Sequence, residues 1–343
     1  MSTILKVKAK HFKAYNVSVT LETNSSLLLR EMKRYYSTYL SVRKAPSYHG
    51  TIVVIETDIF PRDFIPKNAV CDFYLSSYSV YVLPDDKNRI FYEIKNRYLI
   101  SVDYAKNEVR CFAKSAENIV LQIKFTMKMM FDILLEEKGL FPIHCSGVVN
   151  GGKTVLFCGN THSGKTTAAL SCLESGYRLF SEDRVLFRPS GELLPFYTRS
   201  RVDKRMFLNF PGLKNRLKFL DPSHYFEKTK GWYVDLGKAF FAKKSELGPK
   251  LPSTLVFLNF HNSDDSVCKK ISGKEALARL KEGHLREIGN SLWWMMDKDN
   301  RIKKVENAYR KLVAGSKAKC YRFLIGRDHN KFSSLMKEVC GVG

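Results

Sequence analysis

The sequence predicts an α/β protein in two parts, a small β-rich domain over residues 1–114 and a larger α/β domain over residues 115–343. Three observations carry that expectation. Up to residue 113 the chain consists largely of short β-branched and aromatic runs divided by turn residues. At Ala116 the apolar spacing changes to that of a helix. Beyond it, strand-like and helix-like segments alternate, the pattern of an α/β core. A chain of 343 residues exceeds what one core usually organises, and its 44% hydrophobic and 27% charged residues are the balance of a folded protein.

The front half opens, after Thr23-Asn24, with a helix near Ser26–Leu40. Strands follow at 51–56 (TIVVIE), 71–83 (CDFYLSSYSVYVL), 89–95 (RIFYEIK), 98–104 (YLISVDY) and 109–113 (VRCFA). Pro84-Asp85-Asp86 and Lys106-Asn107 mark turns, so the spacing predicts a meander. From Ala116 to Lys138, Ile119, Val120, Ile123, Met127, Met130, Ile133 and Leu134 recur at helical spacing, and Gly139 with Pro142 ends the run. Next come strands at His144–Val149 and Thr154–Cys158, a helix at Thr167–Ser175 and a strand at Leu179–Phe187. A strand at Thr254–Phe260, helices near Gly273–Glu282 and Lys303–Val313, a strand at Cys320–Ile325 and a helix near His329–Val339 close the chain. Residues 189–252 are the least regular, and Trp293-Trp294-Met295-Met296 reads as core or packing contact.

The formal net charge is +23, which calls for an anionic partner such as a nucleotide, a nucleic acid or an acidic polypeptide. No stretch reaches the roughly 18 unbroken apolar residues of a membrane helix, and the start, MSTILKVKAKHFKAYN, lacks the apolar centre of a signal peptide. The eight cysteines are scattered without a CxxC pair, which argues against a zinc site and for a reducing cytoplasm.

The sharpest motif is Gly159-Asn160-Thr161-His162-Ser163-Gly164-Lys165-Thr166, which satisfies G-x-x-x-x-G-K-[ST]. Glycines let backbone N–H groups curl around phosphate oxygens, the lysine reaches the β- and γ-phosphates, and the threonine hydroxyl ligates Mg²⁺. The helix that follows points its positive end at the anion. KTVLFC before the loop is a buried-strand run and TTAALSCLESG after it is a good helix former, so the motif has the context it needs. Residues Gly159 to Thr166, with Thr167 behind them, are the expected ATP-binding set. His162, at a variable position of the loop, is either solvent-facing or a phosphate contact.

PIHCSGVV places His144 ahead of a strand, fifteen residues before Gly159, and RLFSEDRVLF places Glu182-Asp183 on or at the end of a strand after the loop helix. Phosphoryl transfer needs a carboxylate there. Neighbouring residues of a strand face opposite ways, so both acids reach one site only if the strand kinks or ends. Thr198–Lys218 carries seven cations, among them Arg199, Arg201, Lys204 and Arg205, against Asp203 alone. It reads as a loop that neutralises phosphate or draws an acidic substrate.

IHCSGVV, GNTHSGKTT and GYRLFSEDRV together resemble the His-strand, P-loop and Asp-Asp segments of the HPr kinase/phosphorylase family. In layout the chain is most similar to the smaller HPr kinase-like enzymes that phosphorylate serine in ribosomal and lasso peptide precursors. The close match spans about residues 140–190. The resemblance implies a core similar to that of the phosphoenolpyruvate carboxykinases and transfer of the γ-phosphoryl of ATP to a serine hydroxyl. It puts His144, Lys165, Glu182 and Asp183 on catalytic positions and Thr166 with one of the acids, Asp183 or else Glu182, on Mg²⁺. The first acid of the pair, usually Asp, is taken in the family as the base; here it is Glu182. The family's downstream glycine- and arginine-rich signature is missing, which argues against HPr itself as substrate.

The expected partner is therefore a serine-containing peptide or protein, acidic in character, with no membrane. A nucleic-acid partner is argued against by the lack of an aromatic-interleaved basic motif. A homo-oligomer stays open. The competing readings are a kinase for free serine or another small hydroxyl compound, and a nucleotide-gated module that binds peptide or nucleic acid.

Overall fold

The computed structural model describes residues 6–41, 48–61, 63–75, 78–94, 97–197, 200–210, 212–213, 225–226, 231–234, 236, 251–289 and 298–340. The chain is mixed α/β and divides into two compact units between Lys138 and Gly139. Trp293–Met296 lies outside the described residues.

The first unit is built on a nine-stranded sheet: β1 (Lys8–Ala14), β2 (Val17–Thr23), β3 (Leu40–Ser41), β4 (Tyr48–Glu56), β5 (Val70–Leu75), β6 (Tyr78–Leu83), β7 (Asp86–Ile94), β8 (Tyr98–Asp103) and β9 (Glu108–Ala113), in the order β3-β1-β2-β4-β9-β8-β7-β6-β5. The expected meander is present as β5 to β9, all antiparallel neighbours, and the run at 71–83 is a hairpin of two strands. Beyond β9 the sheet turns parallel, β4 lying beside β9 and β2 beside β4. Two helices cover one face, α1 (Ser26–Tyr35) and α2 (Ala116–Glu137). Val17, Val19 and Leu21 of β2, Ile52 and Val54 of β4, and Ile119, Ile123, Met127 and Phe131 of α2 are all buried there.

The helix expected to open the second domain thus belongs to the first unit, and the division falls 24 residues later than the boundary expected at 114. Its apolar stripe packs on β2, β4 and β9. Ser115 starts it by accepting a hydrogen bond from the Glu117 N–H.

The second unit has a six-stranded sheet ordered β13-β11-β12-β19-β21-β20, with β11 (Cys145–Asn150), β12 (Lys153–Cys158), β13 (Arg178–Ser181), β19 (Thr254–Phe260), β20 (Val267–Lys270) and β21 (Lys319–Ile325). The three central strands, β12, β19 and β21, are parallel. The near-continuous apolar runs of β12 and β19 follow from burial on both faces, whereas β21 mixes buried and exposed positions. On one face Val155, Phe157, Val256 and Phe323 meet α3 (Lys165–Glu174) and the helix His329–Cys340. On the other, Leu156, Leu255 and Phe257 meet the helices Gly273–Gly289 and Lys298–Gly315. Two three-stranded sheets flank this core: β10 (Phe141–Ile143), β14 (Asp183–Phe187) and β15 (Leu193–Tyr197), and then β16 (Ser200–Val202), β17 (Tyr225–Phe226) and β18 (Gly231–Val234). Between β16 and β18 runs the short helix α4 (Lys204–Asn209). Among the described residues no helix is long and apolar enough to cross a membrane.

Candidate functional site

The glycine-framed loop sits at the C-terminal edge of the parallel strands, between β12 and α3, where open α/β sheets place their ligands. Both glycines are required by geometry. A Cβ on Gly159 would lie 2.7 Å from the Leu258 carbonyl oxygen and run into the Ser163 hydroxyl. Gly164 has φ 93° and caps α3, and a Cβ there would stand 2.7 Å from Ile325 Cδ1. Thr161 and His162 are exposed, and Ser163 is buried with its hydroxyl lacking a hydrogen-bond partner among the described residues. The Lys165 ammonium folds back over the loop and donates to the carbonyls of Gly159 (2.9 Å) and Asn160 (2.7 Å).

Glu182 and Asp183 reach the site because the strand breaks between them. Ser181 ends β13, Asp183 begins β14 with φ 67°, and Glu182 lies in the step. The same break occurs at His144, between β10 and β11, and the two breaks face each other: β11 pairs with β13 and β10 with β14. The Ser181 hydroxyl pins the step by accepting from the Phe196 N–H (3.0 Å) and donating to the Arg184 carbonyl.

The two acids then part. Glu182 turns inward, where the Thr166 hydroxyl donates to its Oε1 at 2.6 Å. Its Oε2 is buried with no hydrogen-bond partner among the described residues, and the Ser146 hydroxyl, itself buried and without one, stands near. Burial pushes the Glu182 carboxyl up to about 7, against the Thr166 and Ser146 hydroxyls; the nearby Asp183 charge raises it further and Lys165 opposes. Asp183 instead faces His144, whose Nδ1 donates to the Asp183 carbonyl (3.0 Å) and lies 3.4 Å from its carboxylate. That carboxylate is 27% exposed, so a ligand can reach it.

The site thus joins Lys165, Thr166 and Glu182 in one group and His144 with Asp183 in another. Of the two acids, it is Glu182 that the Thr166 hydroxyl bonds. Among the described residues no cluster of three or more His, Cys, Asp or Glu is placed to hold a metal by itself. A hard cation that takes part of its shell from phosphate needs fewer protein ligands, and the Thr166 hydroxyl with the half-unsatisfied Glu182 carboxylate are oxygen donors of the kind Mg²⁺ uses.

The basic segment is more ordered than a loop. Arg199 lies outside the described residues, Arg201 is in β16, and Lys204 and Arg205 are in α4, whose start is held by the Met206 N–H donating to the Asp203 carboxylate (3.1 Å). Val202, Phe210 and Leu213 anchor it in the core. Lys204 is exposed, and among the described residues no hydrogen bond or ion pair joins it to the loop or the acids. Sequence reasoning missed Ser146 and Ser181: IHCSGVV and RLFSEDRV contain both, yet only the paired breaks reveal their use.

Compared with known proteins, the chain matches no family model, and no curated protein is significantly similar to it.

Proposed function

We propose that this chain is a kinase that transfers the γ-phosphoryl group of ATP to a serine hydroxyl of a peptide. The observation that carries the reading is the pair Thr166–Glu182: a loop hydroxyl bonded to a buried carboxylate that keeps one oxygen unsatisfied beside a lysine-bearing, glycine-framed loop. The resemblance of residues 140–190 to HPr kinase-like enzymes supports the same class. Mg²⁺, held by Thr166 and Glu182, would neutralise charge on the phosphate oxygens.

The chain's own residues do the rest. The loop amides and Lys165 bind the β- and γ-phosphates; Lys165 gives up two carbonyls to do so. Asp183, oriented by His144, accepts the serine proton as the serine oxygen bonds to the γ-phosphorus and the β–γ bridge breaks, leaving ADP. This reading divides the pair as Glu182 on the metal side and Asp183 as base, with Arg201, Lys204 and Arg205 on the side of an acidic peptide.

The test is single turnover with γ-labelled ATP, Mg²⁺ and serine peptides, with free serine as a parallel acceptor. Label on peptide serine is the expected outcome. Label on free serine alone moves the acceptor to the small-molecule class, and ATP binding without transfer makes the chain a nucleotide-gated binding module.

A further inference from the structure

The second unit gives the loop a direction. Glu182 approaches Thr166 from the β13–β11 side of β12. On the opposite side of β12 lie β19 and β21, whose C-terminal ends form the rest of the rim. A triphosphate whose terminal phosphate and Mg²⁺ face Glu182 therefore runs its nucleoside end toward β19 and β21.

That side carries a largely exposed aromatic ring beside its register partner Ile325. Phe260, the last residue of β19, is 60% exposed although its strand neighbours Phe257 and Leu258 are buried. The ring leans over the loop: a Cβ built on Gly164 would stand 3.3 Å from Phe260 Cζ. The segments beyond the two strands are laced together, which fixes the ring's base. His261 N–H donates to the Ile325 carbonyl (3.1 Å), Arg327 N–H to Ser263 (2.8 Å) and Asp328 N–H to Asp264 (3.1 Å), and the Gly326 N–H donates to the Ser266 hydroxyl (3.0 Å). An exposed aromatic on so rigid a rim, within reach of a phosphate loop, has the form of a stacking platform.

We infer that Phe260 stacks on the base of the bound nucleotide, so the phosphoryl donor is a purine nucleoside triphosphate and not an inorganic polyphosphate. The inference rests on the nucleotide reading of the loop and adds to it the residue that chooses between donors. Purines present the larger π-face, so ATP and GTP should bind more tightly than CTP or UTP.

The experiment is calorimetric titration of the full chain, with Mg²⁺, against ATP, CTP and tripolyphosphate, repeated for Phe260→Ala, Phe260→Leu and Phe260→Trp. A base stack is worth about 1–3 kcal/mol, so Phe260→Ala should weaken ATP roughly 5- to 150-fold. Tripolyphosphate should be held as in the wild type. Phe260→Leu keeps an apolar side chain yet loses the stack, and should behave as the alanine variant; tryptophan should preserve ATP affinity. If the variants lose ATP and tripolyphosphate equally, Phe260 only shapes the loop and the inference fails. It fails also if the wild type binds tripolyphosphate as tightly as ATP. Binding of neither by the wild type would overturn the nucleotide reading itself.

Discussion

Both units bury hydroxyl groups, and those on one face of the first sheet are matched where several around the loop of the second unit are not. On the face of the first sheet opposite its two helices, Ser18 and Thr20 are fully buried and matched: Thr20 Oγ1 lies 2.8 Å from His11 Nδ1, Ser18 Oγ 2.9 Å from His49 Nδ1, and Thr51 Oγ1 3.1 Å from His49 Nε2. Asn24 ties its side-chain amide to both backbone groups of Glu56. In the second unit, Ser146, Ser163 and the Oε2 of Glu182 are buried without hydrogen-bond partners among the described residues. A closed network rigidifies a fold, whereas each unmatched buried group costs about 1–3 kcal/mol and calls for an explanation. On the proposed reading, the unmatched groups around the loop are those that a bound nucleotide would complete.

The sharpest way to break this contrast is Lys165→Ala. Loss of the ammonium should reduce phosphoryl transfer by at least about 100-fold, the scale seen when a group that stabilises transition-state charge is removed. A near-normal rate in a γ-label assay would mean the loop does no chemistry. In the first unit, Phe131→Ala should do the reverse. Phe131 is fully buried against Tyr36 and Tyr39 (ring centroids 6.0 and 6.1 Å), so urea unfolding should show a loss of about 3–5 kcal/mol. ATP affinity measured on the remaining folded protein should be unchanged; a parallel loss of affinity would tie the scaffold to the site.

Glu182→Gln sharpens the comparison through pH. The folded carboxyl, near 7, lies above its unfolded value of 4.5, so the unfolded chain ionises first as pH rises. Ligand-free wild type should therefore lose stability between about pH 4.5 and 7, by roughly 3 kcal/mol in total, and level off above that. The glutamine variant should show no such slope and should melt higher than wild type at pH 8. An identical pH profile in both proteins would place the carboxylate in a wet, ordinary environment. The smallest effect is expected in the basic segment: changing Arg199, Arg201, Lys204 and Arg205 to Ala should raise KM for an acidic peptide severalfold and flatten its salt dependence, with ATP affinity intact. Unaltered peptide kinetics would make those cations a solvated surface.

What was legible in the sequence follows from the same physics. The loop could be read because its chemistry is local: glycine, lysine and threonine at fixed spacing between a buried strand and a helix. The strand Thr254–Phe260 and the helix from Ala116 were legible because burial writes its period into the residues. Which unit that helix joins is not legible, since periodicity says a helix has an apolar face and not which sheet covers it. β1 and β2 went unread, although Val17, Val19 and Leu21 alternate cleanly with Ser18, Thr20 and Glu22; buried hydroxyls disguise a strand as a polar stretch. The parting of Glu182 from Asp183 could not be read at all. It depends on a left-handed backbone at Asp183 and on a serine that bridges two strands, and neither leaves a mark in the pattern.

The folded-back Lys165 sets a threshold for entry. Its ammonium already holds two carbonyl oxygens, at 2.9 and 2.7 Å, so an arriving anion must outbid both before it gains anything. A chain of phosphates presents several charged oxygens at once, replacing the two carbonyls and still reaching the Ser163 hydroxyl and the loop amides. On the proposed reading, the ligands that displace both carbonyls are those long enough to engage several of the loop's donors together.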